Sequence, residues 1–249
     1  MFVANWKMNG SEEKVKKWID GMSALTPSNI QSKCIFCPPV CFLSQASNFI
    51  KDKGLNISLG AQDIDPNSFY KDEEASITGG IAGNMLKELG CQYVIIGHSE
   101  RRKHYQEKDH LLLMKLLAAA SQNLKIIFCI GESSEEKESG KTLNVLKKQL
   151  EVASMVTNAT ILVAYEPVWA IGTGKSAEVG YIEEVHGKIR EELECLEIKE
   201  LLGLIYGGSV KANTAKKILS LDNVDGLLVG GASLKEKEFS HIALNSTIK

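Results

Sequence analysis

No run of 18 or more apolar residues occurs in the 249-residue chain, so no membrane-spanning helix of ordinary length is expected. The opening stretch MFVANWKMNG lacks the basic-then-apolar order of a secretory leader, and export is not predicted either. A basic block is also missing: 29 Lys and Arg stand against 31 Asp and Glu, leaving a formal net charge of −2 spread along the chain. That balance argues against a nucleic-acid surface and confines any anionic ligand to a small, locally built site. No shift in composition marks a linker. Six cysteines without a secretory leader are expected to be reduced, which points to the cytoplasm. Cys34, Cys37 and Cys41 have a spacing that invites a metal, but Cys34 and Cys37 fall in a strand-like run where a three-residue step sends them to opposite faces. No metal is expected. Gly174, Lys175 and Ser176 end like the phosphate loop G-x-x-x-x-G-K-[ST], yet Trp169 occupies the place of its first glycine, and the pattern fails.

What the chain does contain is a repeating unit. Apolar strand-like runs alternate with helical spacing about every thirty residues, beginning with Phe2 to Trp6 and the amphipathic stretch Ser11 to Leu25, where Ser11 is placed to cap. Further strands are read at Cys34 to Cys37, Ile57 to Ala61, Tyr93 to Gly97, Lys125 to Ile130, Ile161 to Tyr165, Leu202 to Tyr206 and Gly226 to Val229, each followed by a helical stretch. Eight strand–helix units predict an α/β fold closed into a (β/α)8 barrel, with residues 1–249 as one domain. An open doubly wound sheet is the alternative.

In such a barrel the loops at the carboxyl ends of the strands build the active site, so polar residues there take precedence. Asn5 and Lys7 share a face, while Trp6 points to the helices. Glu166 shares a face with Leu162 and Ala164, one step beyond an apolar interior; there a carboxylate loses hydration and its pKa is expected to rise unless a neighbouring cation pulls it back. The alternative is a Glu166 that merely caps a helix. His98 shares a face with Val94 and Ile96 and precedes a helix start, whose dipole would keep the imidazole neutral. Pro167 and Trp169 stiffen the entry to the glycine-tipped segment Gly172, Thr173, Gly174, the composition of a lid. Gly207, Gly208, Ser209 and Gly230, Gly231, Ala232, Ser233 follow the last two strands, where backbone N–H groups can approach a phosphate. A base, a cation, a neutral electrophile, a phosphate cradle and a lid suit proton abstraction beside a carbonyl.

The segments Asn5 to Gly10 (NWKMNG), Gly97 to Arg102 (GHSERR), Tyr165 to Lys175 (YEPVWAIGTGK), Tyr206 to Val210 (YGGSV) and Gly230 to Leu234 (GGASL) resemble the triosephosphate isomerase family, in order and nearly end to end. That family is itself a worked case of a glutamate base with a neutral histidine under a closing loop. The resemblance implies the TIM barrel and interconversion of dihydroxyacetone phosphate and glyceraldehyde 3-phosphate without a cofactor, in glycolysis and gluconeogenesis. It implies Glu166 as base, His98 as electrophile, Lys7 as cation and Asn5 as supporting donor. Gly172, Ser209, Gly230 and Gly231 match phosphate donors, and Cys129 and Glu100 match supporting positions behind them. It further implies a homodimer in which the segment Gln62 to Thr78 docks on the partner, with Thr78 at its end. Two residues depart from the family: Gly80 replaces a glutamate that pairs with the arginine matched by Arg101, and Gln106 stands where glycine is common. Dimer strength is therefore expected to suffer by roughly the few kcal/mol of a buried charge losing its partner.

Overall fold

Eight parallel strands close on one another in sequence order: β1 (Phe2–Asn5), β2 (Cys34–Cys37), β3 (Ser58–Ala61), β4 (Cys91–Ile96), β5 (Lys125–Ile130), β6 (Thr160–Tyr165), β7 (Glu200–Tyr206) and β8 (Leu227–Val229). This is a computed structural model, and it describes residues 1–69, 77–171 and 177–245. Closure is made where Phe2, Val3 and Ala4 pair with Leu227, Leu228 and Val229. The barrel expected from the strand–helix repeat is the fold observed.

Alternation along the strands sorts the core into two layers. Val3, Ile35, Ile95, Ile127, Leu162 and Ile205 fill the barrel interior. Phe2, Ala4, Phe36, Val94, Phe128 and Val163 face the surrounding helices. Because both faces are buried, the strands read as continuous apolar runs. Cys34 and Cys37 fall in different layers, as their spacing predicts, and burial pushes the Cys34 thiol up to about 12.

The helices form where apolar spacing and caps agree. Glu12–Leu25 begins at Ser11, whose hydroxyl accepts the Lys14 N–H, and it buries Val15, Trp18, Ile19 and Met22 against the barrel. Two short helices, Ser99–His104 and Ser134–Glu138, precede the longer helices of their units: the first begins where a helix start was expected after His98, and the second lies in a segment read from the sequence as a connection. Each is too short for a periodic stripe, and the second announces itself only through the capping box of Ser133 and Glu136. Among the described residues no helix is long and apolar enough to cross a membrane.

Helix Val179–Cys195 carries a buried titratable group behind β6. His186 Nδ1 lies 3.0 Å from the Asn223 carbonyl, and its ring packs against Tyr165 and Tyr206, with no partner for Nε2 among the described residues. Burial lowers its pKa from 6.5 to about 4. The folded chain thus binds this proton more weakly than the unfolded chain. Its contribution is full above about pH 6.5 and is lost as pH falls towards 4, by up to about 3 kcal/mol. Melting of the protein and of His186→Gln at pH 7 and pH 5 should show the parent losing more stability on acidification. Equal losses would remove His186 as the cause.

Candidate active site

The carboxyl ends of the strands surround a cavity of about 340 Å³ lined by Asn5, Lys7, His98 and Glu166 on one side and by the loops after β7 and β8 on the other. Asn5 ends β1, and its Oδ1 accepts the Lys7 N–H at 3.0 Å. Lys7 sits at φ +53°, a left-handed conformation that costs an ordinary residue roughly 1–2 kcal/mol. Gln62 holds it there: its Nε2 donates to the carbonyls of Lys7 and Cys37, both at 2.9 Å. The Lys7 ammonium donates to Glu100 Oε1 at 2.6 Å.

Glu166 continues the inward face of β6 beyond Leu162 and Ala164, and is buried. The Ser99 N–H donates to Glu166 Oε2 at 2.9 Å, and His98 Nε2 lies 2.9 Å from Oε1. Burial alone would raise this carboxyl. The His98 ring and the Ser99 amide outweigh it, and the net shift is downward. The expected rise is therefore corrected: the cation that could pull it back is the neighbouring imidazole. The buried Cys129 thiol of β5 borders the same carboxylate and is itself raised by burial.

His98 reaches the mouth by a route that strand alternation misses. Val94 and Ile96 face the helices, so the shared face expected for His98 would have turned it away from the cavity. Gly97, at φ +76°, breaks the strand alternation, and His98 lines the cavity; a Cβ at Gly97 would lie 3.1 Å from the Cys129 carbonyl. His98 then caps helix Ser99–His104, its Nδ1 accepting the Glu100 N–H at 3.2 Å. This leaves Nε2 as the ring's proton-bearing atom in the neutral form, directed at Glu166. The neutral ring expected from the helix start is opposed here: burial lowers the imidazole pKa, but the adjacent Glu166 carboxylate raises it above its ordinary value overall.

On the far side, Ser209 Oγ donates to the Ala170 carbonyl at 2.9 Å, so the loop after β7 is tied to the segment leading into the lid. Gly230 and Gly231 line the cavity, and Gly230 is so close to Lys7 that a Cβ would lie 3.2 Å from its Cε. Gly172 and the lid tip fall outside the described residues. Thr78 is exposed at a turn before Gly79 and does not line the cavity.

Several functional contacts went unread in the sequence. Glu132, in the charged connection after β5, is fully buried and accepts from Tyr165 Oη, from Trp169 Nε1 at 2.8 Å and from Tyr181 Oη at 2.8 Å. It fastens the entry of the lid, Pro167 to Ala170, to the barrel. Glu132→Leu leaves three donors without their acceptor and should cost about 3 kcal/mol in denaturant unfolding, with Glu132→Gln recovering part. A loss below the error of the measurement would show that the donors find other partners. Arg102 is likewise structural, donating to the carbonyls of Gly97 and Cys129 at 2.8 and 3.0 Å and bracing the turn that presents His98.

The departure at Gly80 does not leave Arg101 alone. Arg101 lies 2.8 Å from Glu107 and 2.7 Å from Asp63, and Lys115 joins both carboxylates. Arg101 is thus paired within its own chain, and the penalty of an unpaired arginine does not arise. Gln106 sits at φ +55°, the conformation that glycine adopts without strain.

A closed eight-stranded barrel with a carboxylate, an imidazole and an ammonium at its carboxyl-end mouth defines the class: a (β/α)8-barrel enzyme. A family model described as "Triosephosphate isomerase" matches residues 1–246. Proteins named triosephosphate isomerase are similar over nearly the whole chain: that of Pseudomonas putida (strain GB-1) is 41% identical, covering 97% of this chain and 96% of its own length. That of Psychromonas ingrahamii is 38% identical over 96% and 95% of the respective chains, and that of Polynucleobacter asymbioticus is 38% identical over 95% of each. The chain belongs to the triosephosphate isomerase family.

Proposed function

We propose that the chain interconverts D-glyceraldehyde 3-phosphate and dihydroxyacetone phosphate through an enediolate, with Glu166 moving the proton between adjacent carbons. Family membership supports the reaction, and the single observation that carries the site assignment is the convergence of Asn5, Lys7, His98 and Glu166 on one cavity. To act on a substrate carbon, Glu166 must leave Ser99 N–H and His98. As it leaves, the pull that raises the imidazole pKa goes with it, and the ring is free to donate Nε2–H to the substrate oxygen. Lys7 supplies positive charge on the same oxyanion. Backbone N–H groups of Gly172, Ser209, Gly230 and Gly231 take the phosphate, and Asn5, Glu100 and Cys129 hold Lys7 and Glu166 in place. This reading requires no metal and no cofactor.

Interconversion of these triose phosphates belongs to glycolysis and gluconeogenesis, the setting this reading gives the chain, and its free cysteines fit a cytoplasmic location. A homodimer is the assembly that fits the exposed apolar side chains Met8, Ile77, Met85 and Tyr105, together with Thr78. Sedimentation at micromolar concentration should show the dimer; a fully active monomer would remove it.

The reaction is tested by turnover of glyceraldehyde 3-phosphate by the purified protein in the presence of a chelator, coupled to reduction of the ketone product. Fast turnover is expected. No turnover with phosphoglycolate still bound would leave a phosphate-binding protein without this chemistry.

A further inference from the structure

The turn after β8 that carries Gly230 and Gly231 is fastened from the opposite end of the chain. Residues Gly231–Leu234 form a single 3₁₀ turn, and the Ser233 carbonyl within it accepts two indole N–H groups, from Trp6 at 3.2 Å and from Trp18 at 2.8 Å. Ser233 is fully buried, and both its N–H and its hydroxyl donate to the Gly230 carbonyl, at 2.8 and 2.7 Å. The Gly230 carbonyl is thereby drawn to Ser233, inside the turn. The indoles are themselves fixed. Trp18 stacks on Phe36 with ring centroids 4.2 Å apart, and Trp6 meets the same ring edge-on at 5.0 Å. Trp6 stands between Asn5 and Lys7 in sequence, so the carbonyl it grips ties the phosphate turn to the strand end that presents the ammonium.

We propose that Trp18, acting with Trp6 through the Ser233 carbonyl, is a positioning residue for the phosphate end of the site, setting the distance between Gly230 and Gly231 on one side and Lys7 on the other. This rests on the reading of those glycines as phosphate ligands. Trp18 lines no part of the cavity, and its nearest link to the substrate is one carbonyl in the turn. A buried carbonyl that loses one of two donors lets the turn shift by tenths of an ångström. A phosphate gripped by several backbone donors registers such a shift, whereas the carbonyl end of the substrate, held by His98 and Glu166, does not.

The test separates the two ends of the substrate. Trp18 is replaced by 3-benzothienylalanine, which keeps the ring shape and carries sulfur in place of the N–H, and in parallel by Trp18→Phe. In each protein kcat/KM is measured for glyceraldehyde 3-phosphate and for D-glyceraldehyde, which lacks the phosphate, and the affinity for phosphoglycolate is measured directly. The expected result is a fall of about fivefold, the factor a single hydrogen bond is worth, in kcat/KM for the phosphate ester and in phosphoglycolate affinity, with D-glyceraldehyde turnover unchanged. Equal effects on both aldehydes, or none on either in the folded benzothienyl protein, would overturn the proposal. Should Trp18→Phe fail to fold, the isosteric replacement decides. Absence of turnover in the unaltered chain would instead overturn the proposed reaction, and the ratio of phosphoglycolate affinities would still decide the role of Trp18.

Discussion

Replacing Glu166 by glutamine lowers turnover at least ~10²- to 10⁴-fold, the range a positioned general base supplies. The substitution preserves shape and removes only the basic oxygen. It also upsets a buried hydrogen-bond set. The carboxylate accepts from the Ser99 N–H and faces His98 Nε2, both at 2.9 Å, whereas an amide presents one acceptor and one donor. With Nδ1 held as acceptor by the Glu100 N–H, one of the two contacts becomes a meeting of donors. A stability loss of about 1–3 kcal/mol accompanies the loss of turnover, small enough for the barrel to remain folded. The pH behaviour carries a sign. The Glu166 carboxylate is what raises the His98 pKa against its burial, so the imidazole of Glu166→Gln titrates at lower pH than that of the parent, as followed by NMR. Near-normal turnover in this variant would end the assignment of Glu166 as base.

Lys7→Gly and Lys7→Met lower kcat/KM by about 10²- to 10³-fold, the loss typical of removing one preorganised charge-stabilising group. Their stabilities diverge. At φ +53° a side chain is strained and glycine is not, so Lys7→Gly should equal or exceed the parent in unfolding free energy while being nearly inactive. Lys7→Met keeps the strain and frees Glu100, whose partner the ammonium is at 2.6 Å. The strain is held in place by Asn5 Oδ1 on the N–H and Gln62 on the carbonyl, which is why the lysine can be kept where a relaxed backbone would not put it. Denaturant unfolding beside steady-state kinetics checks the pair. A Lys7→Gly protein that is clearly destabilised would show that the left-handed residue is relaxed by its surroundings.

These sites were legible where the backbone is regular. Asn5 and Glu166 continue the two-residue alternation of β1 and β6, so their inward direction followed from the apolar residues before them, whereas Lys7 lies beyond β1 at φ +53° and reaches the cavity by a backbone that alternation does not describe. His98 was found by position, but its assigned face was wrong, because one glycine with positive φ ends the alternation just before it. The electrostatics were half legible: an apolar rim raises a carboxylate, but the partner that reverses the shift comes from another strand, 68 residues away in sequence. Glu132 gave no signal at all. Its three donors arrive from separate segments, and nothing in a charged connection marks one glutamate as buried. The same holds for Trp18 and Ser233, whose contact spans 215 residues and belongs to barrel closure alone. The lid tip around Gly172 was read from composition and lies outside the described residues.

The central claim is that a carboxylate moves a proton between adjacent carbons through an enediolate. It is tested most directly by running the reaction in deuterium oxide and examining the triose phosphates by NMR. Deuterium at the carbon next to the carbonyl, lost together with turnover in Glu166→Gln, is the predicted result. Deuterium uptake and isomerisation that persist undiminished in Glu166→Gln would contradict the account.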